Sequence, residues 1–484
     1  MTPTAAALTT LSPAGLPAAR RSARLHAAAP AGFRPEPRAA LVCAAILLGG
    51  LLFPSEAAIK AGIVLTSLRV ALLVLLPWSL MVLARKLTRG GYVPVMSDVV
   101  VLLLVLWMEL ALVVTQGPAA MASASGLRPV EFLSAYLAGR CLFGTRAGLE
   151  PFARVLLVVA GILLLMAMID LASGENIFAR VARQVFGVDR GALYMTQYRF
   201  GLPRARASFE HAILFGTFFA TCATLLYHLL DSPTLKAAAV ALCLAGTLSA
   251  LSSAPLLAFM LFAGFVAYDR LLCHATWRWT AFVGVLLYGL AMLLLLVDDP
   301  LRTLIDLFTL DPQTGVYRFL IWEWVAYNLQ ASPFFGIGTR DWVRLSTMVS
   351  SVDALWLAQA LNAGYVGTAL LALSVPSAFF VWTPRATPRR DDPWHAQARK
   401  ALTITLVQLC FISFTVFFWG TAWVWFALLI GIRAGLSEAR YLGPAARGED
   451  LAGGLAARLP ARLARPAGAA LRRPLAEEVR RADA

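Results

Sequence analysis

Charge is what this sequence has least of. Only 14% of its 484 residues are Asp, Glu, Lys or Arg, against about a quarter in soluble globular domains. With 59% hydrophobic residues, that shortage excludes a hydrated soluble enzyme and a disordered chain. It equally excludes a nucleic-acid binder with its basic charge on a hydrated domain. Lysine is nearly absent, with only Lys60, Lys86, Lys236 and Lys400, so the net charge of +15 rests on arginine. Arginine abundance by itself identifies nothing, and position must carry the argument. The six cysteines, Cys43, Cys141, Cys222, Cys243, Cys273 and Cys410, lie in or beside apolar blocks. They form no loop framework and read as small buried hydrophobes rather than disulfides or metal ligands. The GxxxxGK[ST] phosphate loop, HExxH and an outer-loop DxD are missing, Asp298 and Asp299 being adjacent instead. A mechanism without a metal ion or cofactor is therefore expected. No internal repeat is visible.

What is present is a succession of apolar blocks of roughly 17–25 residues, the length that crosses a bilayer core of about 30 Å. The pattern predicts an all-α, polytopic integral membrane protein with about twelve transmembrane helices. The predicted spans are 39–55, 61–84, 93–115, 130–146, 151–172, 208–230, 235–252, 254–270, 278–298, 353–382, 400–418 and 420–437. The fourth is short and carries Glu131 and Arg140, and the pair 235–270 reads as a hairpin around Ser252, Ser253 and Pro255. Residues 1–38 and 438–484, rich in Ala, Pro and Arg, read as basic, disordered cytoplasmic tails flanking a membrane domain at 39–437. The first tail has no clean cleavage site and is not read as a signal peptide.

With the N-terminus inside, every short basic connection falls on one side: Arg85, Lys86 and Arg89; Arg146 and Arg154; Lys236; Arg270 and Arg278; and the loop 383–399. Both termini are then cytoplasmic in an inner membrane. Two long loops, 173–207 and 299–352, lie outside, in the periplasm, and both carry arginines. Long loops translocate despite charge, and long ordered loops usually carry function. In the second, GVYRFLIWEWVAYNL spaces Tyr317, Leu320, Ile321, Trp324 and Leu329 as an amphipathic helix on the membrane surface.

Two constellations bear chemistry. YRFGLPRARASFEHAILFG (198–216) gathers Arg199, Arg204, Arg206, Glu210 and His211 where the first loop enters a span. His211 reads equally as a helix cap or as a functional group. The second stretch (317–367) holds Arg318, then Pro333, Gly336 and Gly338, then Arg340, Asp341, Trp342 and Arg344, with Asp353 opening the next span. A helix cap at Asp353, with Ser351 competing, is the plain structural alternative. Arginine's planar fork suits phosphate. The membrane-embedded Arg69, Asp98, Glu109, Glu131, Arg140 and Asp170 read mostly as structural ion pairs, with Asp98 and Glu109 as candidate partners of Arg69.

These stretches resemble the bacterial O-antigen ligase and polysaccharide polymerase superfamily, most of all its exopolysaccharide-production branch. The resemblance rests on RARASFEHAILFG, LSALSSAP, YRFLIWEWVAYNL with PFFGIGTRDWVR, and SVDALWLAQALNAGYVG, in that order, and covers roughly residues 40–436. It extends to ARKLTRGGYVPVMSD and EFLSAYLAGR. The ligases' histidine near the end of the second outer loop is missing, since no His lies between His274 and His395. Polymerisation is thus favoured over ligation. The resemblance implies a glycosyltransferase acting on undecaprenyl diphosphate-linked oligosaccharides, with a growing glycan as acceptor. It would stabilise the leaving diphosphate through Arg204, Arg318, Arg340 and Arg344. Asp353 is the first candidate base, and His211 or Glu210 the second. Export and chain-length proteins are expected neighbours, and nucleic acid is not a partner. A flippase for the same lipids, or a non-catalytic component of a secretion complex, is the alternative reading.

Overall fold

The computed structural model describes residues 37–61, 63–88, 91–188, 196–300, 303, 312–382 and 392–442. Most of the two predicted tails, most of the loop 383–399, and Arg89, Arg190 and Arg302 lie outside the described residues. So does the side chain of Arg318.

The chain is mostly helical, as apolar segments must be where no water can satisfy a backbone. In order come α1 (Pro37–Gly49), α2 (Ser67–Thr88), α3 (Met96–Gln116), α4 (Ala124–Ala138), α5 (Arg146–Ser173), α6 (Ile177–Phe186) and α7 (Ala212–Leu229). There follow α8 (Pro233–Ser249), α9 (Ser253–Leu271), α10 (Arg278–Leu296), α11 (Pro312–Gln330), α12 (Leu355–Ser377), α13 (Pro393–Ile412) and α14 (Thr421–Ala439). Two small antiparallel hairpins pair Ala58–Ala61 with Ile63–Thr66 and Tyr198–Arg199 with Leu202–Pro203. Among the described residues eight helices, α2, α3, α5, α7, α9, α10, α12 and α14, are long and apolar enough to cross a membrane. The other four predicted intervals hold α1, α4, α8 and α13, which are shorter or more polar.

The bundle is built around α14, which is buried along its whole length. Its glycines permit this. Gly431 and Gly435, four residues apart, face the backbone of α4 and of the π-helical turn Gly139–Phe143 that extends it. A Cβ on Gly431 would lie 2.1 Å from the carbonyl oxygen of Tyr136, and one on Gly435 would lie 2.4 Å from Cα of Gly144. Small residues of this spacing let helices meet where lipid gives no hydrophobic drive to association. At the periphery α10 has no buried residue. It rests on α9 through Trp279 and Phe282 against Phe265 and Tyr268.

Contacts sort the helix termini into two ends. At one, a buried polar network joins α2, α3, α4 and α14. Arg140 binds Asp98 (3.0 Å) and Glu438 (2.5 Å), Lys86 binds Glu438 (2.7 Å), and Tyr136 donates to Asp98 (2.6 Å). Lys400 and Arg278 meet on Asp269 at the same end of their own helices. Asp98 is therefore committed to Arg140, and Arg69 pairs instead with Glu131 at the other end. That correction follows from helix direction, since α2 begins where α3 ends and residue 69 never reaches the level of residue 98. Asp170 makes no ion pair among the described residues either. Its carboxylate accepts the backbone N–H of Ile177 (3.1 Å) and of Ala207 (2.9 Å), pinning both ends of the first long loop.

The second long loop is seated on a broken helix. Gly364 leaves helical geometry inside α12 (φ 70°, ψ −175°). The turn 333–338 fills the gap: Tyr365 donates to the Pro333 carbonyl (2.8 Å), and Ile337 donates to that of Leu361 (2.7 Å). Phe335 stacks on Trp107 of α3. Gly336 sits at φ 71° with its Cα against the Leu361 carbonyl, a place only glycine fits. The helix predicted over 315–329 falls within α11, whose buried stripe is Ile321, Val325 and Leu329 against Trp342, Leu357 and Leu361.

Candidate functional site

The polar end opposite the Arg140 network is where the predicted site residues lie. The first loop reaches it through a knot around Arg206. That guanidinium is buried, binds Glu56 (2.7 Å), and donates to the carbonyl of Phe209 (3.0 Å). Ala207 adopts φ 49° there, so a small side chain suits the position. Glu210 and His211 follow, held at the mouth of α7.

His211 is the N-cap of α7: its Nδ1 accepts the backbone N–H of Ile213 at 3.1 Å. Burial, with Arg204 and Arg206 nearby, pulls its pKa down to about 4. At neutral pH the ring is uncharged, and an accepting Nδ1 puts the proton on Nε2. In this arrangement His211 offers a hydrogen-bond donor and not a base.

Glu210 is buried, and its Oε1 accepts from the backbone N–H (3.1 Å) and hydroxyl (3.2 Å) of Thr421. A carboxylate is thereby seated on the first turn of α14, where the helix dipole favours negative charge. Gly420, at φ 50°, makes room; a Cβ there would overlap Glu210 Oε1.

Glu210 lines a cavity of about 210 Å³ between the starts of α2, α4 and α14 and the segments 50–55 and 208–210. Three further charged side chains line it: Arg69, Glu131 and Arg128. Arg69 is paired with Glu131 and also donates to the Val64 carbonyl. Arg128 lies between the rings of Phe417 (4.7 Å) and Trp423 (4.4 Å) and donates to the Phe418 carbonyl (3.3 Å). Its Nε is buried and makes no hydrogen bond among the described residues.

The remaining candidates are dispersed. Arg204 donates to the Ala250 carbonyl (3.1 Å) and to Gln197 (2.6 Å), beside Arg199, which holds the Leu251 carbonyl (3.0 Å). Both arginines clamp the turn between α8 and α9. Burial, with Arg199 adjacent, lowers the Arg204 pKa to about 10, so it stays charged at neutral pH. Arg340 is exposed and donates to the Thr115 carbonyl at the end of α3. Arg344 binds Asp341 and the carbonyls of Trp342 (3.1 Å) and Met348 (3.3 Å). Asp353 is exposed and lines a crevice of about 20 Å³ with Trp322, Leu357 and Phe414, room for little more than one water. It is not the cap of α12. Ala354 holds that position, and the carbonyls of Ser413 and Val416 receive the Leu355 N–H.

Sequence reasoning missed the piece that connects the two loops. The linker 413–420 between α13 and α14 touches the start of α12 at Ser413 and Val416, and approaches His211 through Trp419, with ring centroids 6.0 Å apart. It also missed Asn328, whose amide brackets Val343 (2.8 and 2.7 Å) and so ties the Arg344 turn to α11. The aromatic run FFWGTAW was the available signal for the first; a lone polar residue in the apolar stripe of α11 was the signal for the second. No group of three His, Cys, Asp or Glu side chains gathers as a ligand set among the described residues. No family model matches this chain, and no curated protein matches it.

Proposed function

We propose that this chain is a membrane glycosyltransferase. It polymerises or transfers oligosaccharide units carried on undecaprenyl diphosphate, at the periplasmic face, during exopolysaccharide or O-antigen synthesis. The observation that carries this reading is the charged cavity holding Glu210 at the end of the bundle that both arginine-bearing loops approach. The opposite end carries Arg85, Lys86, Arg270 and Arg278 at helix termini, so the positive-inside rule turns the cavity end outward.

In the proposed reaction an acceptor hydroxyl oxygen bonds to the anomeric carbon. The bond from that carbon to the diphosphate breaks, and the lipid diphosphate leaves with the electron pair. The hydroxyl proton passes to a carboxylate. Glu210 replaces Asp353 as first candidate for that role, because it lines the larger cavity while Asp353 faces a one-water crevice. Arg340, exposed at the end of α3, is the first candidate to meet the phosphate.

A transporter is the second reading, favoured by the break in α12 at Gly364, since discontinuous helices form transporter sites. Here, however, loop backbone fills the break. Deleting the gene in its own host separates the two. The proposal expects single lipid-linked repeat units to accumulate at the outer leaflet. Accumulation at the inner leaflet would instead identify a flippase.

A further inference from the structure

We infer that the cavity lined by Glu210 receives an uncharged sugar ring of the acceptor, and not the lipid diphosphate; this rests on the transferase reading above. The first argument is charge. The lining holds two arginines, Arg69 and Arg128, and two carboxylates, Glu131 and Glu210. The adjoining buried pair, Glu56 with Arg206, is also one of each sign. The pocket is electroneutral by count. A diphosphate would bring like charge against the buried Glu210 and the partly buried Glu131, which costs affinity.

The second argument is chemistry. Hydroxyl groups both donate and accept, and this lining offers both functions at close quarters. Glu131 and Glu210 accept, the hydroxyls of Ser55, Ser67 and Thr421 do either, and Arg128 donates. Arg128 is the recognition element. Its plane is fixed between Phe417 and Trp423, only one of its hydrogen bonds is made to the protein's backbone at Phe418, and its Nε has no partner among the described residues. Arg128 is half-buried and lines the cavity, and a guanidinium carries five N–H donors, so it has donors to offer a sugar hydroxyl. The third argument is shape. About 210 Å³ is smaller than the roughly 300–1,000 Å³ of sites for drug-sized ligands, and suits one ring. Phe53 and Trp419 stand at the lining as apolar faces for its C–H side. The diphosphate is left to the exposed loop arginine, Arg340.

The test is saturation-transfer NMR on the full-length protein in nanodiscs, with methyl glycosides of neutral hexoses, glucuronate and inorganic pyrophosphate as probes. The inference expects ring-proton saturation from at least one neutral glycoside, undiminished by excess pyrophosphate. It further expects tenfold or greater weakening in Arg128→Gln. Because that variant removes a guanidinium packed between two rings and can fail to fold, the competition on unaltered protein stands alone as a second measure. Pyrophosphate displacing the glycosides, or no neutral glycoside binding at all, would overturn the inference. Binding is read without turnover, so the two claims fail separately. A protein that binds glycosides but transfers nothing refutes the transferase reading, and one that transfers but binds pyrophosphate here refutes only the subsite.

Discussion

His211 caps α7 through Nδ1, and a half-buried capping histidine leaves a pH signature. Its folded pKa, about 4, lies below the ordinary value of 6.5. Between these values the unfolded chain takes up a proton that the folded chain refuses, so stability falls as pH drops from about 6.5 towards 4. Asn caps as well as His and does not titrate. Melting temperatures at pH 7 and pH 5 should therefore fall further for the unaltered protein than for His211→Asn; equal falls would remove His211 as the titrating cap. The two carboxylates separate in the same way. Glu210→Gln keeps an acceptor for Thr421 but loses the proton-accepting charge, and transfer should drop by about 10²-fold or more. Asp353→Asn should stay within a few-fold of normal. The reverse ranking would return the base to Asp353. Glu210 and His211 were legible because charge at the boundary of an apolar run stands out. Arg69 was legible only as a membrane-embedded charge with other partners, and Arg128 was not legible, because only the fold brings residues 69, 128, 210 and 421 to one wall.

At the scale of elements, the contact of α14 with α4 depends on missing side chains. Gly431→Ala would put a methyl 2.1 Å from a backbone oxygen that cannot rotate away, and overpacking of this kind costs typically about 1–3 kcal/mol. Gly284, on exposed α10, has nothing within 4 Å, and Ala there should stabilise by about 0.5–1 kcal/mol through helix propensity. Thermal unfolding in one detergent compares them. A melting temperature unchanged by Gly431→Ala would mean the two helices are not held at backbone distance. Helix positions were legible from apolar run length, and the α8–α9 hairpin fell where Ser252, Ser253 and Pro255 mark it. The break at Gly364 and its filling by residues 333–338 were not, since a lone glycine in an apolar run carries no sign of what docks against it.

At the scale of the molecule, eight helices among the described residues meet the length and apolarity needed to cross a membrane, where about twelve spans were expected. The difference lies in α1, α4, α8 and α13, which pack among other helices. A short or polar helix can sit within a bundle that a lipid-facing helix of the same composition could not join. Helices of alternating direction sort the polar contacts to the two ends of the bundle. The polar apparatus thus divides into a buried ion-pair network at one end and a cavity lined by charges of both signs at the other. The most direct test is reconstitution of the purified chain into vesicles with a fluorescent undecaprenyl diphosphate oligosaccharide, following product length and donor sidedness together. The account predicts longer glycans and released undecaprenyl diphosphate, without added nucleotide. Donor that changes leaflet while its glycan keeps its original length would contradict it.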